Sequence, residues 1–292
     1  MKTIFVGGYL RCGTSLLASV LCSGKSTNPM IGEVVFLHGI AVNYQSSLEL
    51  FDLHSKDYFD DREHLRKVCA DSAIRFLDMT RARYGDPEFL VLKYPQLTPL
   101  FPYLHQLLPD AKFLVSLRDP CDAVASAVVA QRKGAREFAD AKPAEIADFL
   151  TKSYLRCLLC TDQSFAARTA YAKYEHLVSD PASVIEKLHR FTEIDFSGVD
   201  PHQSAAQSGW APDMDLMRNQ PTLSELHGKA ISSTRIGRYV EVLSEAEAKD
   251  VEAIGKQLLD FYELDHSVFG VAATLIDENP PNYEITLSEI ET

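Results

Sequence analysis

The sequence predicts an α/β fold: a central, mostly parallel sheet flanked by helices, in three layers. Three observations carry that expectation. The apolar runs TIFVGG (3–8), EFLVLKYP (88–95) and AKFLVSLRD (111–119) have the length and composition of buried strands. Segments of helical character follow each of them, and that alternation is the pattern of parallel crossovers. The first run opens into a glycine-bearing loop that starts a helix. In that setting backbone N–H groups and a helix N-terminus attract an anion.

The elements can be taken in order. TSLLASVLCSG (14–24) reads as a helix closed by Gly24. The apolar run GEVVFL (32–37) carries no signal that decides its conformation. Residues 61–85 read as an amphipathic helix, with Leu65, Val68, Ile74 and Leu77 near helical spacing, ended by Gly85 and Pro87. A short helix is expected over 98–110, with Pro99 and Pro102 near its start, and another from Asp119 to Lys133. Residues 142–168 read as one long helix with Pro143 in its first turn. AYAKYEHL (170–177) suggests a short strand, and 180–191 a helix. Residues 197–235 are rich in Gly, Pro, Ser, Asn and Gln, and read mostly as loop covering a site. A late helix over 244–262 opens on a capping box, Ser244 to Glu247. The whole reads as a single domain over 1–270, followed by an acidic tail, 271–292.

Composition narrows the function. A net charge of −12 argues against non-specific nucleic-acid binding, which needs a basic surface. It leaves room for a local basic pocket. No apolar run reaches the roughly 18–20 residues that span a bilayer. The N-terminus lacks the apolar region and cleavage site of a secretory signal, so a cytoplasmic location is expected. There the six cysteines would be free thiols. Cys157 and Cys160 in YLRCLLC read as core residues one helical turn apart, because no second Cys or His pair completes a zinc spacing. No metal site is expected.

Two stretches carry chemistry. GGYLRCGTS (7–15) has the glycines of the pattern G-x-x-x-x-G-K-[ST] at Gly8 and Gly13, with Ser15 in its last position. The expected fold is therefore of the P-loop type. The lysine slot, however, holds Thr14. That lysine reaches the β- and γ-phosphates of a nucleoside triphosphate, so the loop points to a different anion. Arg11 places positive charge inside the loop, and Gly13, Thr14, Ser15 and Leu16 offer backbone and hydroxyl donors. In FLVSLRDPCDAVAS (113–126) a strand delivers Arg118 to its carboxyl end, Asp119-Pro120 starts a helix, and Ser126 follows. Charge plus a hydroxyl donor suits a phosphate.

In this order, FVGGYLRCGTSLL and VSLRDPCDAVAS resemble the two nucleotide motifs of the sulfotransferase family that uses 3′-phosphoadenosine 5′-phosphosulfate (PAPS). The resemblance is strongest to the branch of tyrosylprotein sulfotransferases and many bacterial members, with Cys12 where Ser is common. Residues 91–113, 171–188 and 232–247 are also similar to family segments, so the resemblance covers most of the chain.

The resemblance implies sulfuryl transfer from PAPS to a hydroxyl by in-line displacement. Adenosine 3′,5′-bisphosphate (PAP) is the product, and no metal is needed. Positioning and charge stabilisation are then the main catalytic devices. It implies that Arg11, Cys12, Gly13, Thr14, Ser15 and Leu16 hold the phosphosulfate, and Arg118 and Ser126 the 3′-phosphate. Tyr174, with Glu175 beside it, would border the adenine, and Ser233 and Arg235 would close over the 3′-phosphate. Lys93 would stabilise the bridging oxygen of the leaving group. Glu33, after Gly32 and flanked by apolar residues, would be the general base. His38 and His105 stand behind it as candidates. The acceptor could be a small-molecule, lipid, carbohydrate or peptide hydroxyl. Tyr44, Phe51, Tyr58, Phe59 and Trp210 either line an apolar pocket for it or simply pack. Two alternatives stay open: a P-loop kinase using ATP and Mg²⁺, opposed by Thr14, and a non-catalytic nucleotide-binding protein. Cys12 and Cys121 sit inside the two anion motifs and read first as small residues in place of Ser, with a redox-sensitive donor site as the alternative.

Overall fold

The computed structural model describes residues 2–135, 139–209, 226 and 228–263. Four strands, β1 (Lys2–Gly8), β2 (Phe89–Lys93), β3 (Lys112–Leu117) and β4 (Thr169–Lys173), form one parallel sheet in the order β2-β1-β3-β4. The helices in chain order are α1 (Thr14–Cys22), α2 (Val35–Glu49), α3 (Arg62–Arg83), α4 (Phe101–Leu107), α5 (Pro120–Arg132), α6 (Pro143–Leu158), α7 (Gln163–Ala166), α8 (Tyr174–Ser179), α9 (Pro181–Thr192), α10 (Ser204–Gln207), α11 (Glu245–Ile254) and α12 (Lys256–Glu263).

Strand alternation divides the core in two. Phe5, Leu90, Leu92, Phe113 and Val115 face a layer that includes Leu37 and Tyr44 of α2, Leu77 of α3, Val124 of α5 and Leu150 of α6. Ile4, Val6, Phe89, Val91, Leu114 and Ala170 face the other, with Leu17 and Leu21 of α1, Leu177 of α8 and Leu188 of α9. Both faces of the sheet are therefore covered, as parallel sheets require. The chain leaves β1 for β2 on one side and then crosses to β3 on the other. That reversal puts a switch point at the carboxyl ends of β1 and β3, the usual ligand crevice of such sheets.

Several expectations are corrected. The run 32–37 leads into α2, whose buried face is Leu37, Ala41 and Tyr44. Val35 and Phe36 are exposed, so apolar residues on both faces hide the helical period. In α3 the buried positions are Leu65, Ala70, Ala73 and Leu77, while Val68 and Ile74 are exposed. The stretch 142–168 is two helices, because the Asp162 side chain accepts from Ser164 N and Phe165 N and starts α7 anew. The expected strand 170–177 ends at Lys173, and Tyr174 opens α8. The late helix has its capping box at Ser244 and Glu247 and divides at Gly255 into α11 and α12.

Gly24 follows α1 without a left-handed φ; a Cβ there would lie 2.1 Å from Ile194 Cγ2. It permits close packing rather than a special backbone turn. Among the described residues no helix is long and apolar enough to cross a membrane, and no group of three His, Cys, Asp or Glu could hold a metal. All six cysteines are free. Trp210 and the expected tail, 271–292, lie outside the described residues.

Candidate nucleotide-binding and transfer site

The loop between β1 and α1 has three residues at positive φ: Gly8 (132°), Arg11 (73°) and Gly13 (87°). A left-handed arginine costs about 1–2 kcal/mol relative to its usual conformation. Buried hydrogen bonds from distant elements hold the loop in this shape. Thr98 Oγ1 accepts from Gly8 N at 2.6 Å. Tyr154 Oη, from α6, accepts from Tyr9 N at 2.8 Å and donates to Ser116 O at 2.6 Å. Ser116 Oγ, from β3, donates to Cys12 O at 2.5 Å. A Cβ on Gly13 would meet Tyr174 Cδ2 at 2.5 Å, so the Tyr174 ring covers the loop where only glycine fits.

The loop, the start of α5 and the segment 228–242 enclose a cleft of about 270 Å³. Arg11, Gly13, Thr14, Ser15, Leu16, Arg118, Ser126, Tyr174 and Arg235 all line it. Cys12 and Ser233 are not among the lining residues; the Cys12 side chain is buried in the core. Among the described lining residues, six are basic (Arg11, Arg118, Lys133, Lys229, Arg235 and Arg238) and one is acidic, Asp122. Within a chain of net charge −12 this is a concentrated positive pocket.

Arg118 organises the cleft. Its Nη1 donates to Arg11 O at 2.9 Å and its Nη2 to Arg235 O at 2.8 Å. Its guanidinium stacks 4.5 Å from the Tyr174 ring centroid. Among the described residues its Nε is buried without a hydrogen-bond partner. A buried, unsatisfied cationic donor in a basic cleft fits an anionic ligand. Arg11 turns toward α5, with Nε donating to Ser126 Oγ at 3.2 Å. Glu175 accepts from Asp119 N at 3.2 Å, which joins α8 to the start of α5. Burial pushes the Tyr174 phenol up.

Lys93 ends β2 and is buried. Its Nζ donates to Glu33 Oε1 at 2.7 Å and to Ser15 Oγ at 3.2 Å. Val34 N donates to Lys93 O at 3.2 Å and ties the chain after Glu33 to the strand. Glu33 is thus ion-paired rather than isolated among apolar neighbours. The pair adjoins the cleft through Ser15.

His38 stands edge-on to Tyr94 with ring centroids 5.3 Å apart, and burial lowers its pKa. His105 belongs to the core, against Phe113 and Phe165, with Nε2 2.9 Å from Ser164 Oγ. That placement removes it as a base. Tyr44 and Phe51 are buried, Phe59 packs against the core, and Tyr58 is exposed, so the expected acceptor lining does not assemble from them.

Burial pushes the Cys12 and Cys121 thiols up to about 12. Burial favours the neutral thiol at both positions, in keeping with the reading of small core residues in place of Ser. Lys133, the C-cap of α5, joins the lining because Ser126, Val129, Ala130 and Lys133 follow helical spacing, a signal present in the sequence. Thr98 and Tyr154 had no sequence signal, since their loop partners lie 90 and 145 residues away.

Comparison with known proteins bears on the fold and the family. The sulfotransferase domain of the curacin biosynthetic pathway superposes with a TM-score of 0.55 at 17% identity, covering 89% of this chain and 97% of that one. The sulfotransferase domain of the Synechococcus PCC 7002 olefin synthase gives 0.56 at 18%, covering 89% and 94%. Sulfotransferase STF9 from Mycobacterium avium gives 0.51 at 12%, covering 89% and 76%. At these identities the likeness is one of fold. No functionally curated protein matches the sequence. A sequence profile described as the sulfotransferase family matches residues 3–198, from the first strand through the loop, the β2 lysine and the Arg118 motif, and the chain belongs to that family.

Proposed function

We propose that the protein transfers the sulfuryl group of PAPS to an acceptor hydroxyl. The observation that carries this reading is the convergence of Arg11, Arg118, Ser126 and the Gly13–Leu16 turn on one basic cleft, with the buried Arg118 Nε unpartnered among the described residues. PAPS, when bound, supplies an activated sulfuryl group on a phosphate leaving group. The turn Gly13–Leu16 offers donors to the phosphosulfate end. Arg118, Ser126 and Arg235 serve the 3′-phosphate, and Tyr174 the base. Lys93 is placed to stabilise negative charge developing beside Ser15, and Glu33 to receive the proton of the acceptor hydroxyl. We place this activity in the cytoplasm, in keeping with six free thiols.

The test is thermal stability with PAP beside ATP and Mg²⁺. A ligand at about 100 times its dissociation constant stabilises by about 2.7 kcal/mol. A shift with PAP and none with ATP and Mg²⁺ is expected. The reverse result would return the chain to a kinase reading. Binding of PAPS without transfer to any hydroxyl in a broad acceptor panel would favour a non-catalytic role.

A further inference from the structure

Asp122 is the one acid among the described residues lining a cleft that carries six cations. Its side chain is 3% exposed. A carboxylate there would weaken the binding of an anion unless its charge had another use. Two backbone amides of the late segment give it that use. Asp122 Oδ2 accepts from Gly237 N at 2.7 Å and Oδ1 from Tyr239 N at 3.0 Å, across more than a hundred residues of chain. Four residues earlier, Arg118 Nη2 donates to Arg235 O at 2.8 Å. The start of α5 therefore grips the segment 235–239 at both ends.

Of this segment, Tyr239 packs against the core. Ile236, Gly237, Arg238 and Val240 are exposed. Gly237 takes a left-handed φ of 69°, which turns its N–H and that of Tyr239 toward one carboxylate. This segment supplies Arg235 and Arg238 to the cleft.

We propose that Asp122 is a positioning residue that latches the 235–239 segment over the cleft, so that the charge it adds is repaid by the arginines it brings. The effect on donor affinity rests on the PAPS reading; the latch itself does not. Amide exchange at Gly237 and Tyr239 reads the latch without ligand. Calorimetric binding of PAP reads its consequence.

In Asp122→Ala both amides should exchange at least tenfold faster, and PAP affinity should fall at least tenfold. Adding Arg235→Ala to Asp122→Ala should cost little more, because the segment is already released. Such non-additivity separates positioning from general destabilisation. Asp122→Asn keeps one accepting oxygen and should fall between. Gly237→Ala has open space around its Cβ but a strained φ, and perturbs the same segment without touching α5. It should also speed Tyr239 exchange and weaken PAP, which keeps the test decisive if Asp122→Ala does not fold. Unchanged amide exchange in the Asp122 variants would overturn the latch. Full additivity with Arg235→Ala, or unchanged PAP affinity in Gly237→Ala, would overturn its link to the cleft. Failure of the unaltered protein to bind PAP, with the exchange result intact, would remove the donor reading and leave the latch standing.

Discussion

Lys93 Nζ donates to Glu33 Oε1 at 2.7 Å, across 60 residues of chain, and the same ammonium reaches Ser15 Oγ at 3.2 Å. The cation assigned to the leaving group and the carboxylate assigned to the acceptor are thus in direct contact at the margin of the cleft. Their removal should have different signatures.

Lys93→Ala should lower kcat by about 100-fold or more while PAP binding changes little, because a charge that matters in the transition state is lost. Glu33→Gln should lower kcat by about 10²–10⁴ if the carboxylate takes the acceptor proton. Steady-state kinetics and PAP calorimetry on both variants decide this. Full turnover in Glu33→Gln would move the base to His38.

Tyr154→Phe removes the acceptor of Tyr9 N and the donor to Ser116 O in one step. Leaving such buried groups unmet costs about 1–3 kcal/mol. Urea denaturation should show a loss in that range. PAP affinity should drop with it, because the glycine loop loses its tie to α6. An unchanged midpoint would mean that the loop finds other partners.

Gly24→Ala should destabilise the fold by about 1–3 kcal/mol through overpacking. The added methyl falls 2.1 Å from Ile194 Cγ2, at a residue whose own φ is not positive. The usual gain from replacing glycine by alanine is therefore reversed. Ile194→Ala, which removes the Cγ2 methyl, should cost less in the Gly24→Ala background than in the unaltered protein, a non-additivity that thermal unfolding can measure.

Stability should fall on acidification below about pH 6.5, the ordinary histidine value. Burial lowers the pKa of both His38 and His105. The unfolded chain therefore binds these protons at higher pH than the folded one. Their contribution is fully present above the unfolded value and is lost as pH falls through the folded values. His105→Gln should flatten that slope in denaturant titrations between pH 7 and 5. An unchanged slope would assign it to carboxylates.

The parallel sheet, the glycine loop and the Arg118 motif were legible in the sequence because each is local. Strand runs, turn glycines and a strand-to-helix arginine sit within a few residues of one another. The lysine at the end of β2 and the capping box at Ser244 were legible for the same reason. Helix α2 was not, since Val35 and Phe36 put apolar side chains on its exposed side and blur the period. Nor was the break between α6 and α7, where one Asp162 cap outweighs continuous helical composition. Tertiary structure alone decided that Glu33 is paired with Lys93, that Tyr154 and Thr98 brace the loop, and that Asp122 grips the late segment. Those facts depend on which side chains the folded sheet brings within 3 Å of each other, and hydrogen bonds over such separations leave no trace in local pattern. The sequence by itself determined the glycine loop and the arginine-bearing strand end of the basic cleft; the packing of distant helices determined what holds them in shape.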